Sequence, residues 1–207
     1  VAELPIADAE AAACSLAPLE SLGGTDRHAG LAPVHLTDLV ALGERTAVEQ
    51  AAFWRAVSPC TDVPVGVTRD GTPWHLDLVR HGPHGLVGGM TRSGKTEFLK
   101  SWFAALALHN HPDDLAIVIV DFKGGVDHQA VADLPHVIAL ATNQDIDLFE
   151  RTVTLLTAEL ERRQRVFTDD ARVATLEGYR TARRIRPELP PMPRLLVVVD
   201  EFAELLD

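Results

Sequence analysis

Two short stretches hold residue types whose spacing can do phosphate chemistry. The first is Gly89-Met90-Thr91-Arg92-Ser93-Gly94-Lys95-Thr96, followed by Glu97. It has the form G-x-x-x-x-G-K-T and lies between an apolar run and an amphipathic one. Glycines let such a loop wrap closely, so that successive backbone N–H groups point at phosphate oxygens. The following helix adds the positive end of its dipole. Lys95 is placed to reach the outer phosphates of a nucleoside triphosphate, and Thr96 to offer its hydroxyl to Mg²⁺. The second stretch is Leu195-Leu196-Val197-Val198-Val199-Asp200-Glu201, five apolar residues that run into two acids. Unpaired buried charge is costly, so packing alone does not put adjacent carboxylates at the end of a buried strand. Asp200 is expected to hold Mg²⁺, directly or through water, and Glu201 to orient and deprotonate an attacking water.

A looser third group supports these two. Val120-Asp121-Phe122-Lys123-Gly124-Gly125 follows one apolar run and Thr142-Asn143 follows another. Asp121 and Lys123 read either as a polar strand exit and turn or as part of the site. Thr142 and Asn143 are candidates for sensing the outermost phosphate. In Glu159-Leu160-Glu161-Arg162-Arg163-Gln164-Arg165, Arg162 and Arg163 read either as a solvated, locally ion-paired face or as a contact to a neighbouring subunit's nucleotide. The pairs His81/His84 and His109/His111 have no Cys or acid at usual ligand spacing, so they read as loop residues and not a metal site. Trp54, Trp74 and Trp102 read as packing residues.

The elements that must position these groups follow from periodicity. Residues 63–68 and 74–79 read as strands around Arg69-Asp70-Gly71-Thr72-Pro73, a hairpin turn. Residues 85–88 read as a short strand, and Leu99, Trp102, Phe103 and Leu106 share one face of the helix after the loop. Residues 115–120 form a β-branched run typical of a strand buried on both sides, and 137–141 have the same character. A long helix is predicted over 145–166, with Phe149, Val153, Leu156 and Leu160 aligned, then a shorter helix over 176–183. Residues 195–199 are the last predicted strand, and a helix is expected to begin at Glu201. The alternation predicts an α/β fold with a mainly parallel sheet and helices on both faces. In such sheets ligands bind outside the carboxyl ends of the strands, so the loop, Asp121, Thr142 and Asp200 should converge on one edge. Residues 1–62 are Ala- and Leu-rich, with helices expected around 37–42 and 47–56. They read as a helical lead-in or as the domain's outer layer.

Composition bounds the partners. The 207 residues suit one domain with an extension, and two cysteines imply no disulfide framework. Lys and Arg total 19 against 30 Asp and Glu, a net charge of −11, which disfavours generic phosphate-backbone binding. No basic, apolar leader opens the chain, and no uncharged apolar run approaches the ~20 residues a bilayer requires.

From about Val63 to Asp207 the chain resembles the FtsK/SpoIIIE family of motor ATPases. The resemblance rests on the hairpin and strand leading to Gly85-Leu86-Val87-Gly88-Gly89, the loop Thr91 through Glu97, Val120 through Gly125, and Pro193-Arg194-Leu195 through Asp200-Glu201-Phe202-Ala203-Glu204-Leu205. Leu134-Pro135-His136-Val137 and Glu161-Arg162-Arg163-Gln164 look more like the EccC branch, the membrane-anchored ATPases of type VII secretion. The resemblance implies a RecA-like P-loop domain over 63–207 that hydrolyses ATP with Mg²⁺, working beside tandem modules or in a hexameric ring. It implies a protein cargo and a place at the cytoplasmic face of the membrane, held there by segments outside this chain. Double-stranded DNA cargo, and a nucleotide- or signal-peptide-binding docking module with little turnover, are the rival readings. Family members continue with further strands, whereas this chain stops six residues after Glu201. An incomplete sheet, and a piece of a longer polypeptide, are therefore expected.

Overall fold

The computed structural model describes residues 34–43, 45–90, 93–122, 128–142 and 146–201, with 146–149 in backbone only. The expected helix from Glu201 lies almost wholly outside the described residues, as does the first half of the lead-in.

Two helices open the described chain, α1 (Leu36–Leu39) and α2 (Ala47–Ala56). A capping box starts α2: the Glu49 N–H donates to Thr46 Oγ1 at 3.3 Å, and the Thr46 N–H donates to Glu49 Oε2 at 2.8 Å. Then β1 (Val63–Val67) and β2 (Pro73–Leu76) pair antiparallel around the expected turn, where Gly71 takes a φ of +83°. The second strand is shorter than its periodicity suggests. Asp77 ends it by accepting the Val79 N–H at 2.9 Å, which caps the short helix α3 (Leu78–His81).

After the glycine loop comes α4 (Lys95–His109), followed by β3 (Leu115–Asp121), α5 (Gln129–Ala132) and β4 (Val137–Thr142). The long α6 (Ile146–Arg165) runs into a π-helical turn at Val166–Ala171, and α7 (Leu176–Ile185) and β5 (Arg194–Asp200) follow. The sheet is parallel, in the order β4-β3-β5. Leu99, Trp102, Phe103 and Leu106 of α4 pack with Leu115, Ile117 and Ile119 of β3, Val63 of β1 and Val198 of β5. Each such large side chain contributes ~1.5–3 kcal/mol by leaving water. A smaller cluster joins Tyr179 of α7 to Ala171, Leu189 and Met192.

The second half of the lead-in packs on α4. Helix carbonyls in the last turn lack intrahelical partners. Here Gln50 Nε2 donates to Leu108 O at 2.8 Å, Trp54 Nε1 to Ala107 O at 3.0 Å, and Asn110 Nδ2 to Leu106 O at 2.8 Å.

Three expectations need correction. Residues 85–88 form no strand: Leu86 is 89% exposed, and the segment faces β5 across a groove without pairing to it. A strand exists only through a ladder partner, and apolar content cannot supply one. Of the runs expected to be buried on both sides, only β3 is, because among the described residues it alone has a strand on each flank. Edge positions leave Ile138 of β4 and Val197 and Val199 of β5 exposed. Among the described side chains of α6, Val153 and Leu160 of the apolar line are exposed, Leu156 is half-buried and Thr152 is buried, while the Phe149 side chain lies outside the described residues.

Candidate functional site

The site lies where three parallel strands end together. Asp121 pairs in register with Asp200 on one side and Thr142 on the other, so the last residues of β3, β5 and β4 stand side by side. That row is the convergence expected of strand carboxyl ends. Asp121 and Asp200 are buried and Thr142 is half-buried.

The glycine loop reaches the row through Lys95, the first residue of α4. Gly94 caps that helix with a φ of +94°, a left-handed conformation that a side chain disfavours. A Cβ on Gly89 would meet Ser93 Oγ and force that side chain to turn away, so the loop packs closely at its first glycine. The Ser93 N–H donates to Met90 O at 2.9 Å and closes the turn. Met90, Ser93 and Gly94 are exposed, Thr96 is half-buried, and Glu97 pairs outward with Lys100 at 2.8 Å. Thr91, Arg92, Lys123 and Asn143 lie outside the described residues.

Lys95 Nζ sits 2.7 Å from Asp200 Oδ1 and 3.2 Å from Glu201 Oε1. The Asp200 hydrogen bond, outweighing burial, raises the lysine above its ordinary pKa. Burial alone would raise Asp200, but hydrogen bonds from Lys95, His128 and the Glu201 N–H together hold it below the usual carboxylate value. Glu201 adopts a φ of +54°, uncommon for a side-chain-bearing residue and of the kind that concentrates at working sites. Lys95 therefore bridges the two acids and offsets one of their two negative charges. A phosphate chain arriving at the loop would compete with the acids for Lys95 and free them for a cation.

One member of the site was absent from the sequence reading. His128, wholly buried, places Nε2 2.9 Å from Asp200 Oδ2. It stands 72 residues from its partner in a stretch with no periodic or motif signal, so only the fold reveals the contact.

Arg162 and Arg163 are engaged within the chain. Both clamp Glu159, at 2.6 and 2.8 Å, and Arg163 also donates to Pro193 O at 2.7 Å. The Arg162 hydrogen bond leads in pulling the Glu159 carboxyl down to about 2. Three of the four histidines make local contacts: His109 Nδ1 meets Ala105 O at 2.8 Å, His111 Nδ1 accepts the Asp113 N–H at 3.0 Å, and His81 Nδ1 accepts the Asp77 N–H at 3.3 Å.

A groove of about 810 Å³ runs from Lys95, Asp200 and Glu201 between residues 85–88 and β5, a volume suited to a small ligand. A second cleft, about 640 Å³ and lined by Trp54, Asp114 and Arg180, contains none of the glycine-loop residues.

The FtsK/SpoIIIE family model matches residues 45–206. The chain belongs to the FtsK/SpoIIIE family. Among curated relatives, the ESX secretion system protein EccC of Thermomonospora curvata is 37% identical over 212 residues, covering 97% of this chain and 16% of that protein. The ESX-4 secretion system protein EccC4 of Mycobacterium tuberculosis is 38% identical over 178 residues, covering 82% of this chain and 14% of that protein. The chain thus spans only a small part of these FtsK/SpoIIIE relatives. Among solved structures, the cytoplasmic domain of the T. curvata type VII secretion ATPase EccC superposes with a TM-score of 0.76 at 37% identity, over 85% of this chain and 22% of that one. A structure of ATPases 2 and 3 of T. curvata EccC in complex with a signal sequence peptide superposes with a TM-score of 0.60 at 31% identity, over 70% of this chain and 27% of that one. Among the described residues of this FtsK/SpoIIIE chain, no helix is long and apolar enough to cross a membrane.

Proposed function

We propose that this chain is an ATP-hydrolysing motor module of a type VII secretion ATPase, with residues 63–207 as its catalytic domain. One observation carries the reading: the loop lysine, Lys95, is held between the two acids, Asp200 and Glu201, that end the third strand of the parallel sheet. The backbone amides of the 89–96 loop and Lys95 neutralise the phosphates of ATP. Glu97 follows in the first turn of the same helix. Thr96 and Asp200 are the residues that would hold Mg²⁺, whose charge draws electron density from the phosphate oxygens. Released from Lys95, Glu201 takes the proton of the attacking water. Asp121, Lys123, Thr142 and Asn143, at or just after the same strand ends, couple the state of the outermost phosphate to the rest of the domain. Of Arg162 and Arg163 on α6, Arg162 is the more exposed and is the side chain that a neighbouring module would meet, while Arg163 is held by Glu159 and the Pro193 carbonyl. The similarity to secretion proteins supports a protein cargo, tandem or ring-forming ATPase partners, and work at the cytoplasmic face of the membrane through segments outside this chain.

The test is ATP turnover and nucleotide binding in the full-length protein. Glu201→Gln is expected to retain ATP binding and lose roughly 100-fold or more in turnover, the scale of a lost general base. Lys95→Ala is expected to weaken nucleotide binding itself. Unchanged turnover in Glu201→Gln would sink the proposal.

A further inference from the structure

His128 occupies a position that the glycine-loop chemistry does not require. It lies just before α5, is 0% exposed, and packs its ring against Phe103 with centroids 6.4 Å apart. Its Nε2 meets Asp200 Oδ2 at 2.9 Å. The other carboxylate oxygen, Oδ1, is shared by Lys95 Nζ at 2.7 Å and the Glu201 N–H at 2.9 Å. The two oxygens of Asp200 are thus divided: one faces the loop, and the other faces the protein interior.

A carboxylate only accepts hydrogen bonds, so the contact requires the proton on His128 Nε2. Nδ1 is buried and has no partner among the described residues. The geometry therefore makes Nε2 the donor to Asp200.

We propose that His128 is a positioning residue: it holds Asp200 Oδ2 so that Oδ1 stays directed at the cation site once Lys95 turns to the phosphates. Without it, Asp200 would lose Lys95 on nucleotide arrival and keep only the Glu201 N–H among these donors. A carboxylate with one anchor can rotate, and removing the partner that orients a cation-holding group typically weakens the cation. The inference rests on reading Asp200 as a Mg²⁺-holding acid.

The test measures ADP binding against Mg²⁺ concentration in full-length wild type, His128→Phe and His128→Gln, and does not depend on turnover. His128→Phe keeps an apolar ring against Phe103 and removes the donor, while His128→Gln restores an N–H. His128→Phe is expected to raise the Mg²⁺ concentration at the half-point roughly tenfold, with ADP affinity in EDTA within about twofold of wild type and most of the loss recovered in His128→Gln. An unchanged half-point in His128→Phe overturns the proposal. So does an equal loss in both variants with matching falls in melting temperature, the pattern of lost packing. In the nucleotide-free wild type, long-range ¹H–¹⁵N spectra should show a protonated Nε2, and an unprotonated one also overturns it. Absent ATP turnover in the wild type would instead count against the motor reading and leave these measurements intact.

Discussion

At the scale of single residues, conformation and charge each impose one condition on the site. Gly94 shows the first. Its φ is +94°, and a Cβ there would meet nothing within 4 Å, so any penalty for a side chain is purely conformational. Left-handed backbone costs an L-residue ~1–2 kcal/mol. Gly94→Ala is expected to lose about that much stability and, by tilting the first turn of α4, at least about tenfold in ATP affinity. Gly88, also with open space but without positive φ, is the control, and Gly88→Ala should bind ATP as the parent does. Calorimetric titration of both variants checks the contrast, and equal affinities would show that the loop tolerates the strain. The second condition is the bridging of Asp200 and Glu201 by Lys95, which offsets one of their two negative charges and lets the cluster persist at the edge of an apolar sheet before substrate arrives.

At the scale of elements, the end of α4 matters as much as its start. Asn110, 2% exposed, donates to Cys60 O and Leu106 O at 2.7 and 2.8 Å and accepts the Cys60 N–H at 2.9 Å. It thereby ties the chain entering β1 to the helix that presents Lys95. Asn110→Ala leaves these buried groups unmet and is expected to cost about 2–3 kcal/mol in denaturant unfolding. A cost below ~0.5 kcal/mol would mean that water replaces the side chain at no penalty. Helix periodicity located α4 and its buried face correctly. It misjudged α6, because an apolar line records what a helix can bury, and the fold decides what covers it.

At the scale of the whole molecule, charge bears on the choice of cargo. A chain of net charge −11 repels a polyanion unless its charge is strongly segregated. Duplex DNA at about 0.15 M salt is therefore expected neither to bind the chain measurably nor to stimulate its ATP turnover. Micromolar, salt-sensitive binding in a mobility-shift assay would restore the DNA-motor alternative. The parallel order β4-β3-β5 also sets which end of the molecule is chemical. It gathers Thr142, Asp121 and Asp200 at one rim, and the cleft beside Arg180 has no glycine-loop residue.

Much of this was legible in the chain itself. The loop motif, the acid pair and the central strand β3 announce themselves through local spacing, since a phosphate loop, a strand exit and a buried run each need particular residues close together in sequence. Residues 85–88 and the edges of β4 and β5 were not legible, because pairing and burial depend on neighbours far along the chain. His128 is the clearest case. Its contact joins residues 72 positions apart, and no local pattern encodes it. By itself, the sequence marked the two halves of the candidate phosphate site, because the 89–96 loop and the Asp200-Glu201 pair are each contiguous. Only the tertiary structure decided which groups hold the Asp200 carboxylate, because those groups meet through space and not along the chain.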